Sequence, residues 1–259
     1  MIWIIGGTKD SRDILEIIIK NTDESIIITT ATGYGGKLLE DYIESNKDRN
    51  IRILSEKLDE NQMEQLIKEN GVTLAVDASH PYAQIVSKSV INVTNKLNVK
   101  YVRFERKMLD YGTENVIKFE TLEAMNEYVK TLEGVNILST FGSNNLAVIK
   151  EMGDKNNLYV RMLPTTDSIK KAEDLGYLPS KIIAIQGPID KILNKAMLQS
   201  YKINYLLTKE SGTTGGEQEK VEACKEEGVT VLVLTRPFVD YGTVFNELSE
   251  VENYFKNCK

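Results

Sequence analysis

Short apolar runs of strand length alternate with segments of helical period along the whole 259-residue chain. Ile2–Ile5 reads as a buried strand, and Ser11–Lys20 as a helix with Ile14, Leu15, Ile17 and Ile18 on one face. Further strands are predicted at Ile26–Thr30, Ile51–Leu54, Leu74–Asp77, Lys100–Phe104 and Val116–Phe119. Helices fit between them at Leu38–Ser45, Glu60–Glu69 and Gln84–Leu97, and Gly71 is placed to cap the second of these. The pattern then restarts with a helix at Leu122–Leu132. Strands follow at Asn136–Ser139, Leu158–Met162, Ile182–Ile185, Tyr205–Thr208 and Val229–Leu234, again separated by helical segments, and a last helix covers about Val244–Lys256.

Regular strand–helix alternation with short loops predicts an α/β fold with mainly parallel sheets covered on both faces. The strands are too many for one sheet of this length. The restart predicts two consecutive domains, residues 1–130 and 131–259.

Composition narrows the classes. A net charge of −6 argues against nonspecific nucleic-acid binding, which needs a basic surface. It leaves room for a locally basic pocket that takes an anionic small molecule. Apolar runs such as Ile26–Ile28 are far too short to cross a bilayer, and no secretory leader pattern precedes the first strand. Cys224 and Cys258 lack metal-ligand spacing and read as reduced thiols of a cytoplasmic protein. One histidine excludes a multi-histidine metal centre, and no metal is expected.

The polar chemistry sits just after the predicted strands, where open parallel sheets bind ligands. Gly6-Gly7-Thr8 opens the first helix and allows a phosphate to approach backbone N–H groups, with Thr8 as an added hydroxyl donor. The segment 31–36 carries Thr32, Gly33, Gly35 and Gly36, with no carboxylate at the preceding strand end. That lack favours a 2′-phosphorylated dinucleotide. Asp77-Ala78-Ser79-His80-Pro81-Tyr82-Ala83 groups four polar side chains at a strand end, among them a histidine able to donate a proton or bind a carboxylate. Thr140-Phe141-Gly142-Ser143 and Gln186-Gly187-Pro188 follow later strands. Lys209-Glu210-Ser211-Gly212-Thr213-Thr214-Gly215-Gly216 offers a cation, hydroxyls and glycines ahead of a helix, an anion cradle that is not a P-loop. Arg103, Arg106 and Arg236 follow strands and could clamp carboxylates.

These motifs, in this order, resemble the precorrin-6A reductase family, including the cobalt-precorrin-6A form. The matching stretches are Ile4–Arg12, Asp77–Ala83, Arg103–Arg106, Gln186–Pro188, Lys209–Gly212 and Arg236-Pro237. The resemblance implies two Rossmann-like domains with the active site in the cleft between them. It implies hydride transfer from NADPH or NADH to one carbon–carbon double bond of a ring-contracted tetrapyrrole. On that reading Gly6, Gly7, Thr8, Thr32, Gly33, Gly35, Gly36, Gly142, Gly187, Lys209, Ser211 and Gly212 hold the cofactor. Ser79, His80, Arg103, Arg106 and Arg236 bind substrate, and His80, Tyr82 and Asp110 are catalytic. Asp110 is the first candidate proton donor, because family members carry an acidic residue in that loop; Tyr111, His80 and water stay open. The rivals are a non-catalytic dinucleotide sensor and an NADP-dependent reductase of another acidic substrate. The oligomeric state is invisible in the sequence.

Overall fold

The computed structural model describes residues 1–259 apart from 32, 113–114, 154, 213–215 and 258–259. Predicted site residue Thr32, the loop residues Thr213, Thr214 and Gly215, and Cys258 therefore lie outside the described residues. In chain order the elements are β1 (Ile2–Ile5), α1 (Lys9–Asn21), β2 (Ile26–Thr29), α2 (Gly33–Glu44), β3 (Ile51–Leu54), α3 (Glu60–Asn70), β4 (Leu74–Asp77), α4 (Gln84–Lys96) and β5 (Lys100–Phe104). They continue with β6 (Val116–Phe119), α5 (Leu122–Lys130), β7 (Asn136–Ser139), α6 (Leu146–Glu151), β8 (Asn157–Met162), α7 (Thr166–Asp174), β9 (Ile182–Ala184), α8 (Lys191–Ser200) and β10 (Tyr205–Lys209). The last are α9 (Glu217–Glu226), β11 (Thr230–Leu234), β12 (Val244–Phe245) and α10 (Leu248–Asn257).

Two all-parallel, six-stranded sheets result, ordered β3-β2-β1-β4-β5-β12 and β9-β8-β7-β10-β11-β6. Each is doubly wound, with β1 lying between β2 and β4 in the first and β7 between β8 and β10 in the second, so each has a switch point, at β1/β4 and at β7/β10. In the first sheet the uninterrupted apolar strands divide their side chains by parity. Ile2, Ile4, Ile26 and Ile28 join Ile14, Leu15 and Ile18 of α1 and Val251 and Phe255 of α10. Trp3, Ile5 and Ile27 pack on the other face with Met63, Leu66 and Ile67 of α3 and Val90 and Val93 of α4. Period-2 alternation on a strand buried on both faces produces this split.

The predicted boundary at residue 130 is corrected. The compact units are Met1–Lys107 with Pro237–Lys259, and Met108–Arg236. Strand β6, assigned from sequence to the first domain, pairs with β11 of the second sheet. The C-terminal stretch returns to the first unit, where β12 pairs with β5 and α10 packs on α1. The sixth strand of each sheet is thus the segment that follows the fifth strand of the other. Pattern reading follows chain continuity and cannot see such an exchange. Val244-Phe245, read from sequence as the start of the last helix, instead forms two-residue β12, too short to give a periodic signal, and the helix begins at Leu248. Among the described residues no helix is long and apolar enough to cross a membrane, and no His, Cys, Asp or Glu group could hold a metal ion.

Candidate functional site

At the first switch point Ile5 and Asp77 are register partners, so the loops after β1 and β4 leave the sheet side by side. Thr8 joins them. Its hydroxyl donates to the Ala78 carbonyl (2.9 Å) and accepts from the Ser11 amide (3.1 Å), capping α1. That hydroxyl is spent on structure and is not the ligand donor expected of it. Gly7 has φ +101°, which an L side chain resists, and it leaves open space above the backbone.

The glycines of 33–36 are not a loop. They form the first turn of α2, where a side chain on Gly35 or Gly36 would meet neighbouring strand ends and one on Gly33 would meet open space. A Cβ on Gly35 would stand 3.2 Å from Thr30 Cβ and 3.6 Å from Gly7 Cα. One on Gly36 would fall on the Ser55 hydroxyl. The glycines let α2 close onto the ends of β2 and β3; Gly33 alone among them is exposed.

The Asp77 side chain is fully buried and takes four hydrogen bonds. The Ser79 amide (2.9 Å) and Arg103 Nη1 (2.8 Å) donate to Oδ1; Ser87 Oγ (2.6 Å) and Tyr101 OH (2.9 Å) donate to Oδ2. Arg103, also fully buried, donates to Ser79 Oγ (3.0 Å) and, through Nε and Nη2, to Glu105 Oε2 (2.9 and 2.7 Å). The Tyr241 ring covers its guanidinium at 4.9 Å. Burial opposes the Arg103 charge, but Asp77 and Glu105 outweigh it and hold the guanidinium above its ordinary pKa. Burial first, and then the Asp77 charge, push the Tyr101 phenol up. Arg106 is buried as well and is paired with Asp10 in the first turn of α1. Ser79, Arg103 and Arg106, expected as substrate ligands, are therefore interior framework. The desolvated ion pairs fix the β4 and β5 ends and do not reach outward.

That framework carries His80 and Tyr82. His80 is exposed and Tyr82 half-buried, and their ring centroids lie 5.9 Å apart. The Tyr82 amide donates to His80 Nδ1 (3.3 Å), which requires the neutral imidazole with its proton on Nε2. Asp110 is exposed and its Oδ1 accepts from the Gly112 amide (3.0 Å), whereas Tyr111 is buried and donates to Glu217.

At the second switch point, in the other unit, Leu207 and Ser139 are register partners and the loops after β7 and β10 emerge together. The Thr140 amide donates to the Leu207 carbonyl (2.9 Å). Lys209 Nζ lies 5.4 Å from the Phe141 ring centroid, a cation–π contact. Burial lowers the Lys209 pKa. Gly142 has φ +73°, and Gly212 has φ +76°. Arg236 secures the loop through its amide, which donates to Glu210 Oε2 (3.0 Å), and its Nε, which donates to the Glu210 carbonyl (2.9 Å). Gly187 is exposed in the β9–α8 connection. Its neighbour Pro188 packs on Gly216, where a Cβ would meet Pro188 Cβ at 3.0 Å.

Two residues of this region went unnoticed in the sequence. Glu217 has no exposed surface, and its carboxylate accepts from the Gly212 amide (2.7 Å) and from Tyr111 OH. Lys220 is buried one turn on and donates to Thr208 Oγ1 (2.9 Å). In a polar helical stretch both look like members of a solvated face. The glycine-rich loop directly before them was the available signal.

Fold and site together define a paired, doubly wound α/β protein whose polar chemistry is gathered at two switch points, one anchored by a buried Asp–Arg network and one carrying a half-buried lysine. The family model described as Precorrin-6x reductase CbiJ/CobK matches residues 1–258, and the chain belongs to that family. It is similar to the cobalt-precorrin-6A reductase of Methanocaldococcus jannaschii, at 35% identity over 99% of this chain and 98% of that protein. It is also similar to the cobalt-precorrin-6A reductase of Priestia megaterium, at 33% identity over 99% of this chain and 98% of that one. A solved CobK precorrin-6A reductase shares the fold, with a TM-score of 0.79 at 17% identity, covering 99% of this chain and 96% of that one.

Proposed function

We propose that the chain reduces cobalt-precorrin-6A, or its cobalt-free counterpart, at a carbon–carbon double bond with NADPH as reductant. The observation that carries this reading is a family match over residues 1–258 in a chain whose polar strand-end loops gather at two switch points. NADPH, when bound, supplies the hydride. The second switch point fits its phosphates better than the first. The first unit's Arg103 and Arg106 are paired with internal carboxylates, and Lys209 sets its ammonium over the Phe141 ring at the end of β10. Neither second strand ends in a carboxylate, since β2 runs into Thr29-Thr30 and β8 into Met162-Leu163, and this favours the 2′-phosphorylated nucleotide over NADH.

In this reading His80 offers its Nε2–H to a peripheral carboxylate of the tetrapyrrole, and Tyr82 flanks it. Asp110 is the proposed proton donor. Tyr111 leaves that role because its hydroxyl is committed to Glu217. The test is purified protein with cobalt-precorrin-6A or precorrin-6A and either nucleotide. Consumption of the reduced nicotinamide, faster with NADPH, is expected. No consumption in any combination would end the proposal. His80→Ala should fold normally and raise the tetrapyrrole KM about tenfold, the scale of one hydrogen bond to a charged group. Steady-state kinetics that match wild type would remove His80 from the site.

A further inference from the structure

The loop after β10 was expected to cradle a ligand anion with its backbone amides. In the structure the amides of Ser211 and Gly212 already face an anion, and it belongs to the chain. Glu217, the first residue of α9, turns its carboxylate back under the loop, where it accepts from the Gly212 amide at 2.7 Å. The Ser211 amide adds a second backbone bond, and Tyr111 OH a third from the segment that precedes β6. One fully buried carboxylate thus staples three pieces of the second unit: the entry segment, the β10–α9 loop and the helix. Burial pushes the Glu217 pKa up, opposed by the bonds from Tyr111 and the two amides and by the nearby Lys220 charge. On the strand side, Lys220 donates to Thr208, the neighbour of Lys209. From the far side of the same turn, Arg236 holds Glu210.

The geometry points to Glu217 as a positioning residue that fixes the Lys209–Gly212 turn and so sets where the Lys209 ammonium stands for the nucleotide. Charge-assisted bonds from backbone N–H to carboxylate are short and directional, and they hold a turn that its own glycine would leave loose. The ammonium, not the amides of Ser211 and Gly212, then meets the ligand phosphate. This rests on the proposal that the second switch point takes the nucleotide.

The experiment compares wild type with Glu217→Gln, Glu217→Asp and Tyr111→Phe. Direct titration of NADPH fluorescence is run beside steady-state turnover with the tetrapyrrole. Glu217→Gln keeps the shape but sets an NH2 against one of the donors. It should weaken nucleotide binding about tenfold, with kcat changed by no more than about twofold and the tetrapyrrole KM unchanged. Tyr111→Phe removes one bond and should give a smaller shift of the same kind. Glu217→Asp keeps the charge and should fall between Gln and wild type. Unchanged nucleotide affinity in folded Glu217→Gln, with only a lower melting temperature, would overturn the inference. Tighter nucleotide binding would overturn it too, because the carboxylate would then be competing with the ligand for the amides. If Glu217→Gln does not fold, Tyr111→Phe decides by the same readout. Wild type that binds NADPH but turns over no tetrapyrrole would count against the proposed reaction and leave this inference standing on the titration.

Discussion

Asp77→Ala is expected to lose about 3–5 kcal/mol of folding stability, the cost of breaking a buried ion pair by removing one partner. The carboxylate takes bonds from Ser79, Ser87, Tyr101 and Arg103, and both it and the guanidinium are fully buried. Without it Arg103 keeps Glu105 as its remaining carboxylate partner, and three further donors, from Ser79, Ser87 and Tyr101, lose an acceptor that is fully buried. Urea denaturation at neutral pH measures the loss. A drop below about 1 kcal/mol would mean that the site relaxes and that the network does not hold the β4 and β5 ends. The double variant Asp77→Ala/Arg103→Met separates fold from function. It removes the stranded guanidinium, and an apolar replacement of a buried ion pair is often close to neutral; Glu105 loses its two bonds from Arg103, so only part of the stability should return. Activity should not return. Ser79 would still lack the bonds to its amide and hydroxyl that aim the His80 turn. Recovery of both would show that the network serves stability alone.

That network also marks the limit of what the sequence discloses. Alternating apolar runs were enough to read the α/β class, nearly every strand and the placing of polar clusters at carboxyl ends, because these follow from local periodicity. The register that puts Gly6–Thr8 beside Asp77–His80 is not local. It depends on β1 inserting between β2 and β4, just as the unit boundaries depend on β6 joining the sheet that the chain builds next and on β12 returning to the sheet built first. Charge is the second blind spot. Arg103, Arg106 and Glu217 are spelled like surface residues, yet each is buried against a partner far away in sequence: Arg103 on Asp77, Arg106 on Asp10, Glu217 on Tyr111. Sequence pattern cannot distinguish a substrate-clamping arginine from a framework one, since both are placed at strand ends. The glycines of 33–36 carry a related ambiguity. A missing side chain looks the same whether it admits a ligand or, as at Gly35 and Gly36, a neighbouring strand end.

Lys220→Met is expected to make the protein more stable at neutral pH. Lys220 is 7% exposed, its hydrogen bond goes to the neutral Thr208 hydroxyl, and among the described residues no carboxylate lies within ion-pair distance. Burial, and then the neighbouring Arg161, push its pKa from 10.5 down to about 8. A cation whose folded pKa is depressed destabilises the native state wherever both states carry the proton, here below about pH 8. At about 1.4 kcal/mol per pH unit the cost is on the order of 3 kcal/mol. Between pH 8 and 10.5 the unfolded chain holds the proton that the native state has shed, so this contribution to stability rises with pH and levels off above. Methionine fills a similar volume without charge. Allowing about 1 kcal/mol for the lost bond to Thr208, the variant should gain roughly 2 kcal/mol at pH 7; the gain should shrink above pH 8 and turn into a loss of about 1 kcal/mol as pH approaches 10.5. Other lysines and tyrosines titrate in the same range, so the quantity to follow is the difference between variant and wild type. A difference that stays flat from pH 7 to 10.5 would show that Lys220 is not a depressed buried cation. A chain that keeps such a charge at this cost keeps it for its field. Burial raises the Glu217 pKa and the Lys220 charge opposes that rise, which favours the carboxylate that accepts from the Gly212 amide in the loop after Lys209.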